Sequence, residues 1–152
     1  MHLTTYLGML HRGEQTLAAS YRQVADGHED EPDVRQTCLL LADECDRHVG
    51  RLQPVVDRYG ESPSGEPARL HAVGLTETRD GPLGLLRDLH DLYLLASFVD
   101  LSWTVVHQAG QGARDPEIGS AFDACAGDLA RHLSFLRTRV KVAAPQALLV
   151  AE

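Results

Sequence analysis

Apolar residues recur in steps of three and four along four long stretches of the chain. In the first, from about Thr4 to Ala25, the residues Leu3, Leu7, Leu10, Glu14, Leu17, Tyr21 and Val24 lie on one stripe. This is the spacing of one helix face, and Asp26-Gly27-His28 breaks it. The second stretch opens on Pro32, since proline suits a first helical position that needs no N–H donor. Its stripe is Val34, Cys38, Leu41, Cys45, His48, Leu52, Val55 and Tyr59, and Gly60 is a natural stop.

The third stretch, residues 82–110, carries two stripes that fit equally well. One is Leu86, Leu89, Tyr93, Ala96, Asp100, Trp103 and His107. The other is Leu85, Leu89, Leu92, Ala96, Val99, Trp103 and Val106. Asp100 therefore falls on the seam or beside it. The fourth stretch, residues 116–142, has Asp115 as N-cap and Pro116 as first residue. Ile118, Phe122, Cys125, Leu129, His132, Leu136 and Val140 mark its inner face. No alternating strand pattern competes. Between the second and third stretches, residues 60–81 hold Pro63, Gly65, Pro67, Gly74 and Gly81, which forbid a long helix. At most, Ala68 to Val73 could form a short turn. The apolar tail, residues 144–152, is expected to dock on the bundle or on a second subunit.

These stretches predict one all-α domain spanning residues 1–152: two antiparallel helical hairpins joined by a long crossover. The second and fourth helices also align with a constant offset. Glu31-Pro32-Asp33-Val34 matches Asp115-Pro116-Glu117-Ile118, and Ala42, Glu44, Arg47, His48 and Leu52 match Ala126, Asp128, Arg131, His132 and Leu136. Such self-similarity marks an internal repeat. The first and third helices align less well, with Leu3, Leu7, Glu14 and Leu17 over Leu89, Tyr93, Asp100 and Trp103.

Charge narrows the partners. A formal net charge of -8 argues against nucleic acid and anionic membrane surfaces, which select a basic face. No apolar run approaches the length of a membrane span, and no signal-peptide pattern follows Met1. Cys38, Cys45 and Cys125 lack CxxC spacing and sit on apolar stripes, which reads as buried reduced thiols in a cytoplasmic protein. Most other histidines, His2, His11, His28 and His71 among them, lie near ends or loops and read as exposed.

The candidate chemistry lies in Glu14, in Glu44 with His48, in Asp100, and in Asp128 with His132. An ionised carboxylate on an apolar stripe, as at Glu14, is costly unless paired or ligating a cation. Residues four apart share a helix face, so each carboxylate–histidine pair can act together. On these six positions the chain resembles the ferritin-like proteins. That resemblance implies a four-helix bundle with inward carboxylates and Glu-x-x-His pairs holding iron, manganese or zinc. Here both pairs are spaced by four, and Cys45 and Leu129 stand where the family spacing puts glutamate. The second hairpin offers only the shorter aspartates. The pattern therefore allows a single-metal or vestigial site as readily as a di-metal centre.

Two other functions remain open. One is a metal-independent helical interaction module, forming a homodimer, in which Glu14→Leu should leave assembly intact or raise stability. The other is a thiol transferase of the DinB-like kind, a bundle using about three histidines on a metal. This chain offers His48 and His132 with Asp128 as the third group. The small-molecule substrate is not legible in either case.

Overall fold

Four helices form where the apolar periodicity places them. The computed structural model describes residues 2–60 and 73–151. The helices are α1 (His2–Gly27), α2 (Pro32–Tyr59), α3 (Gly81–Gly112) and α4 (Pro116–Pro145), with no strand among the described residues. The protein is an all-α four-helix bundle. Gly60 takes a positive φ of 82° as α2 stops, a conformation that only glycine adopts without strain. Asp115 caps α4 by accepting the backbone N–H groups of Glu117 and Ile118 at 3.1 and 3.4 Å.

Short turns join α1 to α2 and α3 to α4, so each pair packs as an antiparallel hairpin. The hairpins meet mainly through α1 and α3, and less closely through α2 and α4. Leu10, Leu17, Tyr21, Leu89, Val99 and Leu129 are fully buried between them. Burying each such side chain contributes about 1.5–3 kcal/mol before entropic costs. In α3 the buried residues include Leu85, Leu89, Leu92, Ala96, Val99, Trp103 and Val106, all of the second of the two stripes the sequence allowed, with Leu95 beside it. Asp100 and His107 are consequently only half-buried.

Most of the expected crossover, including nearly all of the Ala68–Val73 turn, lies outside the described residues. Its returning end, residues 73–80, has no regular structure and is tied down at Asp88. Asp88 is fully buried and accepts from the Arg79 backbone N–H (3.0 Å), the Arg79 guanidinium (2.7 Å) and His28 Nε2 (2.7 Å). His28 is thus buried, not exposed as its position at a helix end suggested. The interhelix turn folds its ring inward onto an acid that the sequence alone did not single out.

At the other end, α4 runs to Pro145 and continues as a π-helical turn, Gln146–Val150. Ala147 anchors this tail, whereas Leu148, Leu149 and Val150 stay exposed. No described helix is long and apolar enough to cross a membrane.

Candidate functional site

Glu14 projects from α1 into the centre of the bundle, flanked along its stripe by Leu10 and Leu17. Its Oε1 accepts two hydrogen bonds, one from His48 Nδ1 at 2.9 Å and one from the Trp103 indole N–H at 2.7 Å. Its Oε2 is buried and has no hydrogen-bond partner among the described residues. His48, on α2, uses its other nitrogen as well. Nε2 donates to Asp128 Oδ2 of α4 at 2.9 Å. Both ring nitrogens therefore face carboxylates, which is the pattern of an imidazolium.

A second chain of contacts runs the opposite way between the same helices. Glu44 of α2 accepts from His132 Nε2 of α4 at 2.8 Å. His132 Nδ1 receives the Tyr21 hydroxyl of α1 at 3.2 Å. A histidine that donates at Nε2 and accepts at Nδ1 is neutral. The two imidazoles lie nearly parallel, with ring centres 6.3 Å apart. Each hairpin thus sends a histidine to the other hairpin's carboxylate. Arg131 closes the circuit, since its guanidinium bonds both Glu44 Oε1 and Asp128 Oδ1.

The electrostatics separate the two histidines. Burial pushes His48 down, but hydrogen bonds and charge from Glu14 and Asp128 outweigh it and hold its pKa above the ordinary value. For His132 burial wins over Glu44, and its pKa is lowered. Burial raises Asp128, but His48 and Arg131 more than reverse this and lower its pKa. The thiols are inert by contrast. Burial pushes Cys38 and Cys125 up to about 12. Burial, together with Glu14, pushes Cys45 higher still. None is a thiolate near neutrality.

Five of the six residues singled out in the sequence converge: Glu14, Glu44, His48, Asp128 and His132. Asp100 does not join them. It is half-buried, burial raises its pKa, and its backbone carbonyl accepts the Thr104 hydroxyl. The reason is register. Laying Glu14 over Trp103 puts Leu7, Leu10 and Leu17 over Ala96, Val99 and Val106, and all eight side chains are buried. Trp103, not Asp100, is the counterpart of Glu14 in the second hairpin.

No family model, curated protein or solved structure matches this chain. The functional reading therefore rests on geometry.

The residues do not fit a di-metal carboxylate centre. An indole stands at the Glu14-equivalent position and cannot ligate a metal, and the buried Cys45 and Leu129 leave no bridging carboxylate. Among the described residues, no group of three or more His, Cys, Asp or Glu side chains is arranged to hold a metal ion. Glu14 and Asp128 contact opposite nitrogens of the His48 ring, so the imidazole separates them. No third histidine enters the cluster among the described residues. His107 stacks instead on Phe122, with ring centres 3.8 Å apart. Sequence reasoning missed Arg131 as a member. Its one signal was the position one residue before His132, matching Arg47 before His48.

Proposed function

We propose that this chain is a metal-independent helical interaction module. A single observation carries this reading: the ring nitrogens that would ligate a metal are already taken by protein groups, although Glu14 Oε2 is left without a partner. Every imidazole nitrogen of His48 and His132 has a protein partner, and Arg131 supplies a positive charge between Glu44 and Asp128. A buried ionic network of this kind costs desolvation free energy, and it is retained where it fixes which elements pair and in which register. Here it spans the α2–α4 seam, which packs less closely than the α1–α3 seam. It acts as a clasp between two hairpins whose similar sequences could otherwise pair in more than one way.

Elemental analysis of purified protein tests this. We expect no stoichiometric transition metal, and a melting temperature unchanged by manganese, iron, zinc or a chelator. One retained equivalent of metal that is lost in His48→Ala would overturn the proposal.

A second reading is a single divalent ion between Glu44, His48, Asp128 and His132. It is favoured by one feature: Glu14 accepts from the far ring nitrogen of His48, as the carboxylate partner of a ligating histidine does. This ion would have to displace Arg131. Under this reading Arg131→Ala raises metal uptake; under the first it does not.

A further inference from the structure

The α1–α2 turn and the start of α3 enclose a cavity of about 170 Å³ at the His28 end of the bundle. His28, Asp30 and Glu31 line it from the turn, and Asp80, Pro82 and Leu85 from the start of α3. Three of these six are acids and none is basic apart from the histidine. The arginines of this end are already committed: Arg35 to Asp26, Arg79 to Asp88 and Asp91, and Arg139 to Glu31 and Asp33. Asp30 and Asp80 form no ion pair among the described residues. Acids at the starts of α2 and α3 are favoured by the helix dipoles, which accounts for Glu31 and Asp80 as N-caps. Neither, however, accepts a cap hydrogen bond from its own helix. Glu31 turns Oε2 to Arg139, and the Asp80 carboxylate stays free.

His28 points to a ligand independently of the acids. It is 3% exposed, and its Nε2–H goes inward to Asp88. Nδ1 has no hydrogen-bond partner among the described residues and is not sealed from solvent, so the free polar edge of a buried ring opens on the cavity. In the neutral ring that nitrogen carries the lone pair and accepts. A buried acceptor fixed from behind by a carboxylate, with two unpaired carboxylates beside it, calls for a positively charged N–H donor.

We infer that this cavity binds an organic cation, a guanidinium or primary ammonium on an aliphatic stem. Its N–H groups meet His28 Nδ1 and the Asp30 and Asp80 carboxylates, and its methylenes lie on Pro82 and Leu85, as the stems of long basic side chains do on apolar surface. A metal ion fits less well. No three His, Cys, Asp or Glu side chains here are arranged around one point, and the cavity has room for several waters. The inference goes beyond the interaction-module reading and stands apart from the cluster around Glu14 and His48. Asp30 and Asp80 are exposed, and exposed ion pairs are weak, so the head group alone binds in the millimolar range.

NMR titration of the full chain at pH 8 tests this, followed through the His28 ring nitrogens and the backbone amides of Gly27 and Gly81. Ethylguanidinium and butylammonium are the probes. At least one is expected to give saturable shifts at these positions, with the largest change at His28 Nδ1. Tetramethylammonium carries the charge without an N–H donor and should not saturate. The double variant Asp30→Asn with Asp80→Asn should weaken binding roughly tenfold, since each exposed pair is worth up to about fivefold. Neither side chain holds a hydrogen bond, so the variant should keep its fold. Asp33→Asn, in the same acidic turn but outside the cavity, should change binding less than twofold. Spermidine and a capped arginine peptide then separate the two sources of such a cation. Tighter binding of the first assigns the cavity to free polyamines, and of the second to a basic side chain of a partner protein. Shifts that grow linearly with every cation, or a curve unchanged in the double variant, overturn the inference. Saturation of the same resonances by one equivalent of zinc overturns it as well, because the cavity would then be a metal site. The metal content of the Glu14–His48 cluster is read separately, so neither result decides the other.

Discussion

The Trp103 indole donates to the Glu14 carboxylate across 2.7 Å, and the two residues hold equivalent places in the two hairpins. One copy of the repeat keeps an acid, and the other supplies a donor to it. This changes what Glu14 replacement should do. With leucine at position 14, the Trp103 N–H and the His48 Nδ1–H both lose their acceptor inside the core. Each stranded donor costs about 1–3 kcal/mol. Glu14→Leu is therefore expected to destabilise the fold by about 2–6 kcal/mol in urea unfolding, against the gain that an apolar seam alone would suggest. Glu14→Gln keeps an acceptor oxygen and should cost less.

The pH dependence of stability should split between the two histidines. An unfolded histidine titrates near 6.5. His48 is held above that value in the fold, so its contribution is complete below about pH 6.5. It is lost as pH rises through the folded value. His132 is lowered, so its contribution is complete above about pH 6.5 and is lost as pH falls through the folded value. The two effects enclose a stability maximum near neutrality. In chemical denaturation from pH 5 to 9, His48→Gln should flatten the alkaline side and His132→Gln the acid side. A profile in which both variants change the same limb would contradict the assigned protonation states.

The helices were legible because a periodicity of three and four over more than twenty residues leaves little choice. The choice between the two stripes of α3 was not, since apolar residues cover both faces of that helix. The same ambiguity hid the repeat register and placed Asp100 where Trp103 belongs. Glu14, Glu44, His48, Asp128 and His132 were legible as polar residues at paired depths. Arg131 and Asp88 were not, because an arginine on an outer face and an aspartate near a helix start both resemble ordinary solvated residues. What makes them structural is the partner each reaches: Glu44 and Asp128 on the seam, and His28 and Arg79 from the two flanking loops.

Asp115 should matter beyond its cap. Besides two α4 backbone N–H groups, it accepts from the Tyr59 hydroxyl and Arg58, each at 2.6 Å, at the end of α2. Burial raises its pKa, but these donors prevail and lower it. Loss of an N-cap costs about 1 kcal/mol, and the tie to α2 adds to it. Asp115→Ala should therefore cost more than Asp115→Asn, which retains an acceptor oxygen. The Tyr59 hydroxyl proton in an NMR spectrum should exchange faster only in the alanine variant.

Gly84 gives the sharpest test of how the returning crossover is seated. It lies inside the first turn of α3, where alanine is worth up to about 1 kcal/mol more than glycine by helix propensity. A Cβ there, however, would lie 2.6 and 2.7 Å from the carbonyl carbon and oxygen of Arg79. Backbone atoms cannot swing aside as a side-chain end can, and Arg79 is itself fixed at Asp88 through its own N–H. Gly84→Ala is therefore expected to destabilise, by about 1–3 kcal/mol as for other overpacked sites. It should also speed exchange of the Arg79 amide hydrogen. Gly127 in α4 is the matched control, because nothing lies within 4 Å of the Cβ position there. Gly127→Ala should stabilise by up to about 1 kcal/mol. If both substitutions stabilise alike, the segment before α3 does not pack against Gly84 in solution, and the anchoring of this end through His28, Asp88 and Arg79 would have to be abandoned.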